Sequence, residues 1–292
     1  MQTLKIGPIS FIWGRQTYVM GIINVTPDSF SGDGLLDHES WLEQVVAQAK
    51  RFAQQGAHIL DIGGESTRPG AEMVEVDEEI CRVVPAIQAI AREVSLPISI
   101  DTYKAAVAAA ALKAGAHLVN DVWGLRMDPE MARVCARYGV PVVITHNRSH
   151  PRDAVQEARL GGRYVGTTYG DLLSDIIAEL TISLNLAKDA GIKDEQIILD
   201  PGIGFGKTVE QNLTLLNKLD VIKKALDYPL LLGTSNKSFI GYTLDTSPDQ
   251  RDAGTAATIA ISIDRGADIV RVHQVGMMSQ VAKMTDAIVR VK

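Results

Sequence analysis

Gly21-Ile22-Ile23-Asn24-Val25-Thr26-Pro27-Asp28-Ser29-Phe30 and Asp61-Ile62-Gly63-Gly64-Glu65-Ser66-Thr67-Arg68-Pro69-Gly70 each begin as an apolar strand and end in a polar, turn-forming loop. The same punctuation closes Ile98-Ser99-Ile100-Asp101, Leu118-Val119-Asn120-Asp121, Ile198-Leu199-Asp200 and Val270-Arg271-Val272-His273. Strands that all end in polar residues would gather their chemistry on one rim, as a closed parallel barrel does.

Working outward from these segments, short β-branched runs alternate with apolar patterns of helical period, the sequence sign of repeated βα units. Eight strands are predicted: Tyr18 to Asn24, His58 to Ile62, Pro97 to Asp101, His117 to Asp121, Val140 to Thr145, Ile197 to Asp200, Pro229 to Gly233 and Ile269 to His273. The helices between them are predicted at Trp41 to Gln55, Asp77 to Val94, Lys104 to Lys113, Pro129 to Tyr138, Asp171 to Ala190, Gln211 to Leu226, Asp252 to Arg265 and Met277 to Val289. Gly56, Gly115, Gly139, Gly191 and Gly266 each stand between a helix and the next strand, where only glycine turns left-handed without a Cβ penalty. The fold class predicted is α/β, a TIM (β/α)8 barrel, with residues 1–292 as a single domain. A doubly wound open sheet uses the same alternation and is the competing architecture.

A chain of 292 residues, 46% hydrophobic, suits one such barrel, which commonly takes about 250 residues. The net charge of -6 supplies no basic excess for nucleic acid or an anionic membrane, so a phosphate-bearing ligand must meet individual cations. No apolar run follows a basic N-terminus and none is long enough to span a bilayer, so a soluble, cytoplasmic protein is expected. Cys81 and Cys135 lack metal-ligand spacing and are expected to be small buried hydrophobes.

Asp101, Asn120 and Asp200 end the third, fourth and sixth predicted strands, so a flat heterocycle in the barrel mouth would meet two carboxylates and an amide that accept its N–H groups. Strand-end Asp residues also cap helices, which is the ordinary alternative. Asn24, Arg271 and His273 lie on the first and eighth strands, which become neighbours only when a barrel closes. Arg271 and His273 are two residues apart and therefore share a face. Residues 146–170 form one long irregular stretch, either a loop at the same rim or a surface insertion. Gly202-Ile203-Gly204-Phe205-Gly206-Lys207-Thr208 has three residues, not four, before its Gly-Lys pair and is not a phosphate-binding P-loop. Ser66 and Ser235 have no evident histidine partner, which argues against triad chemistry.

Asn24-Val25-Thr26-Pro27-Asp28-Ser29-Phe30-Ser31, Gly64-Glu65-Ser66-Thr67-Arg68-Pro69-Gly70, Asp200-Pro201-Gly202-Ile203-Gly204-Phe205-Gly206-Lys207, Ser235-Asn236-Lys237-Ser238 and Arg271-Val272-His273 together resemble the dihydropteroate synthase family. The resemblance runs from about Val19 to the C-terminus. It implies a barrel that joins 4-aminobenzoate to 6-hydroxymethyl-7,8-dihydropterin diphosphate, giving 7,8-dihydropteroate and diphosphate in folate biosynthesis. It also implies Mg²⁺, a homodimer and inhibition by sulfonamides.

By the same resemblance Asp101, Asn120, Asp200, Phe205 and Lys237 hold the pterin, and Phe30, Thr67, Arg68, Pro69 and Ser235 form the aminobenzoate pocket. Asn24, Arg271 and His273 bind the diphosphate, with Asn24 on the metal, and the catalytic set is Asn24, Asp101, Lys237, Arg271 and His273. Three positions depart from the family pattern: Asn236 stands where Arg is usual, Thr145 where Met is common, and Gly32 where Asp is expected, with Asp33 one place later. A pterin-binding methyltransferase module and a non-catalytic pterin-binding paralogue are the alternatives. The first two loops argue against the module, because methyl transfer needs neither a diphosphate site nor an arylamine site.

Overall fold

The computed structural model describes residues 3–26, 38–67, 71, 73–150, 153–165 and 168–291. Two short strands, β1 (Thr3–Ile6) and β2 (Ile9–Ile12), pair antiparallel ahead of the repeat. Eight parallel strands follow: β3 (Tyr18–Asn24), β4 (Ile59–Gly63), β5 (Ile98–Asp101), β6 (Leu118–Asp121), β7 (Val142–Thr145), β10 (Ile197–Asp200), β11 (Leu231–Leu232) and β12 (Ile269–Val272). Another antiparallel pair, β8 (Ala154–Val155) and β9 (Arg163–Tyr164), lies between β7 and β10. The sheet order is β10-β7-β6-β5-β4-β3-β12-β11. A parallel bridge from Leu199 to Leu230, with Leu199 N–H donating to Pro229 O at 2.9 Å, brings β10 to β11 and closes the ring. The α/β barrel is therefore observed and the open sheet is excluded.

Strand parity sorts the interior into layers. Tyr18, Met20, Ile59, Leu118, Val143, Ile198, Leu231 and Ile269 pack together with Leu4, Ile6, Phe11 and Trp13, so the N-terminal hairpin closes the lower end of the barrel. Intervening residues such as Val19, Leu60, Ile100, Val119, Ile144, Leu199 and Val270 belong to the other core, shared with the surrounding helices. Two residues further along the inward rows, apolar side chains give way to Asp61, Asn120, Thr145, Asp200 and Arg271. Period-2 alternation therefore aims these polar residues into the upper end.

The five predicted junction glycines all take positive φ, from 64° at Gly139 to 118° at Gly115. Three expectations need correction. The helix expected over Gln211 to Leu226 is two helices, Val209–Asn217 and Leu219–Leu226, broken at Lys218; the break lets Leu215, Leu216, Leu219 and Ile222 all be buried. The seventh strand contracts from Pro229 to Gly233 down to Leu231–Leu232: Pro229 has no N–H for the ladder, and the Leu230 N–H goes to Asp268 Oδ2 at 2.9 Å. Cys135 is buried, its thiol pushed up to about 12 by burial, but Cys81 is exposed on the helix Val76–Glu93. The N-terminal hairpin and the short helix Ser238–Leu244 were not anticipated.

Candidate active site

The centre of the barrel mouth is an arginine held between two carboxylates. Arg271, from β12, donates through Nε to Asp61 Oδ2 of β4 at 2.6 Å and through Nη2 to Asp101 Oδ2 of β5 at 2.5 Å. Asn120 Nδ2 of β6 adds a second donor to Asp61 Oδ2 at 3.1 Å. Asp61 Oδ1 and Asp101 Oδ1 are buried and have no hydrogen-bond partner among the described residues. Burial pushes the Asp101 carboxyl up to about 7; Arg271 opposes this, while Asp61, Glu79 and Asp121 add to it. The guanidinium spends two of its five N–H groups on these carboxylates.

Asp200, at the end of β10, accepts the Gly202 N–H through Oδ1 at 2.7 Å. Burial raises its pKa, opposed first by the charge of Lys237 and also by those of Lys207 and Arg271. Lys237 donates to Ile203 O and lies over the Phe205 ring, 4.4 Å from its centroid. Burial draws the Lys237 ammonium down to about 8 against the attraction of Asp200.

The structure thus brings Asp101, Asn120, Asp200, Phe205, Lys237 and Arg271 to one rim. His273 follows β12, its Nδ1 3.0 Å from Ser235 Oγ, and its backbone N–H donates to the same oxygen at 3.2 Å. Ser235 therefore does have a histidine neighbour, which sequence separation concealed. The hydroxyl is held by that backbone N–H as well as by the ring. Asn24 ends β3; its Oδ1 and the Asp101 carboxylate both face the hydrogen of Gly63, where a Cβ would lie 3.8 Å and 3.7 Å from them respectively. Thr67 is half-buried in the second loop, while Phe30, Arg68 and Pro69 lie outside the described residues. The base of that loop is anchored by Lys104, whose ammonium meets Glu65, Glu79 Oε2 at 2.6 Å and Val74 O at 2.5 Å.

Two contributors were missed. Asp61 carries no role in the sequence reading, although it stands two residues after inward-facing Ile59 and that parity marks it. Lys207 closes the Gly-rich segment, and no local pattern shows that its side chain turns into the protein. The start of the 146–170 stretch lies against the loop after β10: a Cβ at Gly206 would fall 2.3 Å from the Arg148 backbone carbon.

A closed parallel barrel whose upper end holds a partly exposed arginine between two buried carboxylates, with two lysines beside a third, has the form of a barrel-enzyme active site. The model of the pterin-binding enzymes matches residues 20–273. Dihydropteroate synthase from Clostridium beijerinckii is 50% identical over 288 residues, 98% of this chain and 100% of that protein. The crystal structure of the Clostridium difficile enzyme in the presence of pteroic acid superposes with TM-score 0.87 at 48% identity, covering 96% of this chain and 100% of that one. The Xanthomonas albilineans enzyme with 4-aminobenzoic acid gives TM-score 0.84 at 39% identity, covering 95% of each. The chain belongs to the dihydropteroate synthase family.

Proposed function

We propose that the barrel mouth binds 6-hydroxymethyl-7,8-dihydropterin diphosphate on its acidic side and 4-aminobenzoate above it, and joins them by dissociative substitution. The condensation is that of the family. The observation that carries the ligand placement is the pair of buried acceptors, Asp61 Oδ1 and Asp101 Oδ1, left without partners around Arg271. A pterin edge offers N–H donors, and a buried carboxylate oxygen is costly until it receives one.

Asp101, Asn120 and Asp200 hold the ring, and Lys237 donates to its carbonyl. As the C–O bond to the diphosphate breaks, both bonding electrons leave with the diphosphate. The resulting pterin cation is favoured by the carboxylates around it, and the leaving charge by Arg271 and His273. The arylamine nitrogen then forms the new C–N bond and releases a proton. Thr67, with Arg68, Pro69, Phe30 and Ser235, forms the aminobenzoate pocket in this reading.

Among the described residues no three His, Cys, Asp or Glu side chains converge as a metal site. Mg²⁺ favours one or two protein oxygens together with water and substrate phosphates, and the Asn24 side-chain oxygen beside the Asp101 carboxylate suits that. A bound Mg²⁺ would supply charge neutralisation to the departing diphosphate.

Exposed Ile261, Met277, Met284 and Ile288 on the last two helices support a homodimer as part of the same proposal. No helix among the described residues is long and apolar enough to cross a membrane. The diphosphate substrate is too highly charged to cross a bilayer unaided, which supports a cytoplasmic reaction.

The test is formation of 7,8-dihydropteroate from the two purified substrates with and without Mg²⁺. Product with Mg²⁺ and little without it is expected. Tight pterin binding with no turnover would overturn the catalytic reading in favour of a non-catalytic pterin-binding protein.

A further inference from the structure

The Gly-rich segment after β10 is not a P-loop, yet it ends in a lysine that the site described above leaves without a task. Lys207 is 2% exposed. Its ammonium donates to Gly202 O at 2.9 Å and Phe205 O at 3.1 Å, and meets His146 Nδ1 at 3.0 Å. Three protons thus meet three acceptors. Because Nδ1 accepts, the His146 proton sits on Nε2, which faces Glu179 Oε2 at 3.2 Å, off the line of a straight hydrogen bond. Arg148 Nε donates to the other Glu179 oxygen at 2.6 Å. A chain of contacts therefore runs from buried Lys207 through the buried, neutral imidazole to a partly exposed carboxylate on the helix Leu172–Asp189.

The same loop carries the orientation of Asp200. Gly202 gives its N–H to Asp200 Oδ1 and its carbonyl to Lys207, so one residue is held from both ends. The fit is close: Gly202 has φ +77°, and a Cβ there would lie 1.8 Å from His146 O. His146 N–H in turn donates to Asp200 O at 2.8 Å.

We infer that Lys207 is a positioning residue for pterin recognition: it holds the 201–206 loop so that the Gly202 N–H orients Asp200, and it sets a positive charge near that carboxylate. This rests on Asp200 being a pterin-binding carboxylate. The charged groups acting on Lys207 are Asp200 and Glu179, which favour its charge, and Lys237 and Arg148, which oppose it; those acting on Asp200 are Lys237, Lys207 and Arg271. Burial raises the Asp200 pKa, so losing a nearby cation raises it further and moves the acid limb of pterin use to higher pH.

The test compares Lys207→Met with the parent protein in KM for each substrate and in the pH profile of kcat/KM for the pterin diphosphate. KM for the pterin is expected to rise about tenfold and the acid limb to move up by about one pH unit, with KM for aminobenzoate little changed. An unmoved limb, or an equal rise in both KM values, overturns the inference, since a purely structural lysine would lower the plateau without shifting the limb. Should Lys207→Met not fold, His146→Leu removes one of the three acceptors and is expected to shift the limb in the same direction by less; an unchanged pterin KM and limb there also overturns it. Asp200→Asn separates the two levels. If it leaves pterin KM unchanged, the pterin assignment of Asp200 fails; if it raises pterin KM while Lys207→Met does not, only the role of Lys207 fails.

Discussion

Replacing Arg271 by Met would keep the packed stem and delete the one cation that bridges β12 to β4 and β5. The Asp61 side chain is 0% exposed and that of Asp101 is 8% exposed, so neither carboxylate can recover its lost partner from water. Removing one member of a buried ion pair costs about 3–5 kcal/mol. The cost depends on pH in a direction that the site determines. Asp101 has a folded pKa raised to about 7, so the stability linked to its proton is full below the unfolded value of 3.8 and is lost as pH rises through about 7.

Without Arg271 that folded pKa rises further. The parent protein stops losing this stability near pH 7, while the variant goes on losing it at about 1.4 kcal/mol per pH unit. Urea unfolding at about pH 6 and about pH 8.5 should therefore show a deficit larger by about 2 kcal/mol at the higher pH. Equal deficits at both values, or a loss below about 1 kcal/mol at each, would refute the claim that Arg271 neutralises the two carboxylates.

Asp200→Asn is expected to weaken pterin binding by about tenfold or more in calorimetry, because an ionised acceptor becomes a neutral amide; full affinity would remove the assignment. Gly202→Ala places a methyl 1.8 Å from His146 O at a φ of +77°, so the loop must move, and a drop of about 3 kcal/mol in stability is expected; an unchanged melting temperature would count against the tight loop packing. Asn236→Arg restores a cation that family members usually carry, at a backbone position with φ 57° that asparagine accepts readily. Tighter substrate binding is expected, and unchanged KM values for both substrates would argue against it. Sulfonamides, which mimic aminobenzoate, should raise its apparent KM without lowering the maximal rate; a pattern indifferent to aminobenzoate concentration would contradict the shared pocket.

Strand-end polarity and helix-Gly-strand spacing are local properties, and they were enough to locate the eight barrel strands and to mark Asp101, Asn120, Asp200 and Arg271 as inhabitants of one rim. Each of these residues is set by period-2 alternation within its own strand, which needs no knowledge of the rest of the chain. The segments carrying the family resemblance were likewise contiguous runs. Other features depended on what lies across the barrel. Asp61 gains its role only because closure carries Arg271 to it from 210 positions away, Ser235 meets His273 only after β11 and β12 pair, and Cys81 faces solvent because its helix has only one apolar side to bury. Lys207 turns inward because Gly202 O, Phe205 O and His146 Nδ1 converge on it, and that convergence exists only once the β10 loop has folded back onto the end of β7. Alternation along a strand is written in the order of residues. Which buried charge finds its counter-charge is decided by the closing of the ring, where desolvation makes an unmatched partner too costly to keep.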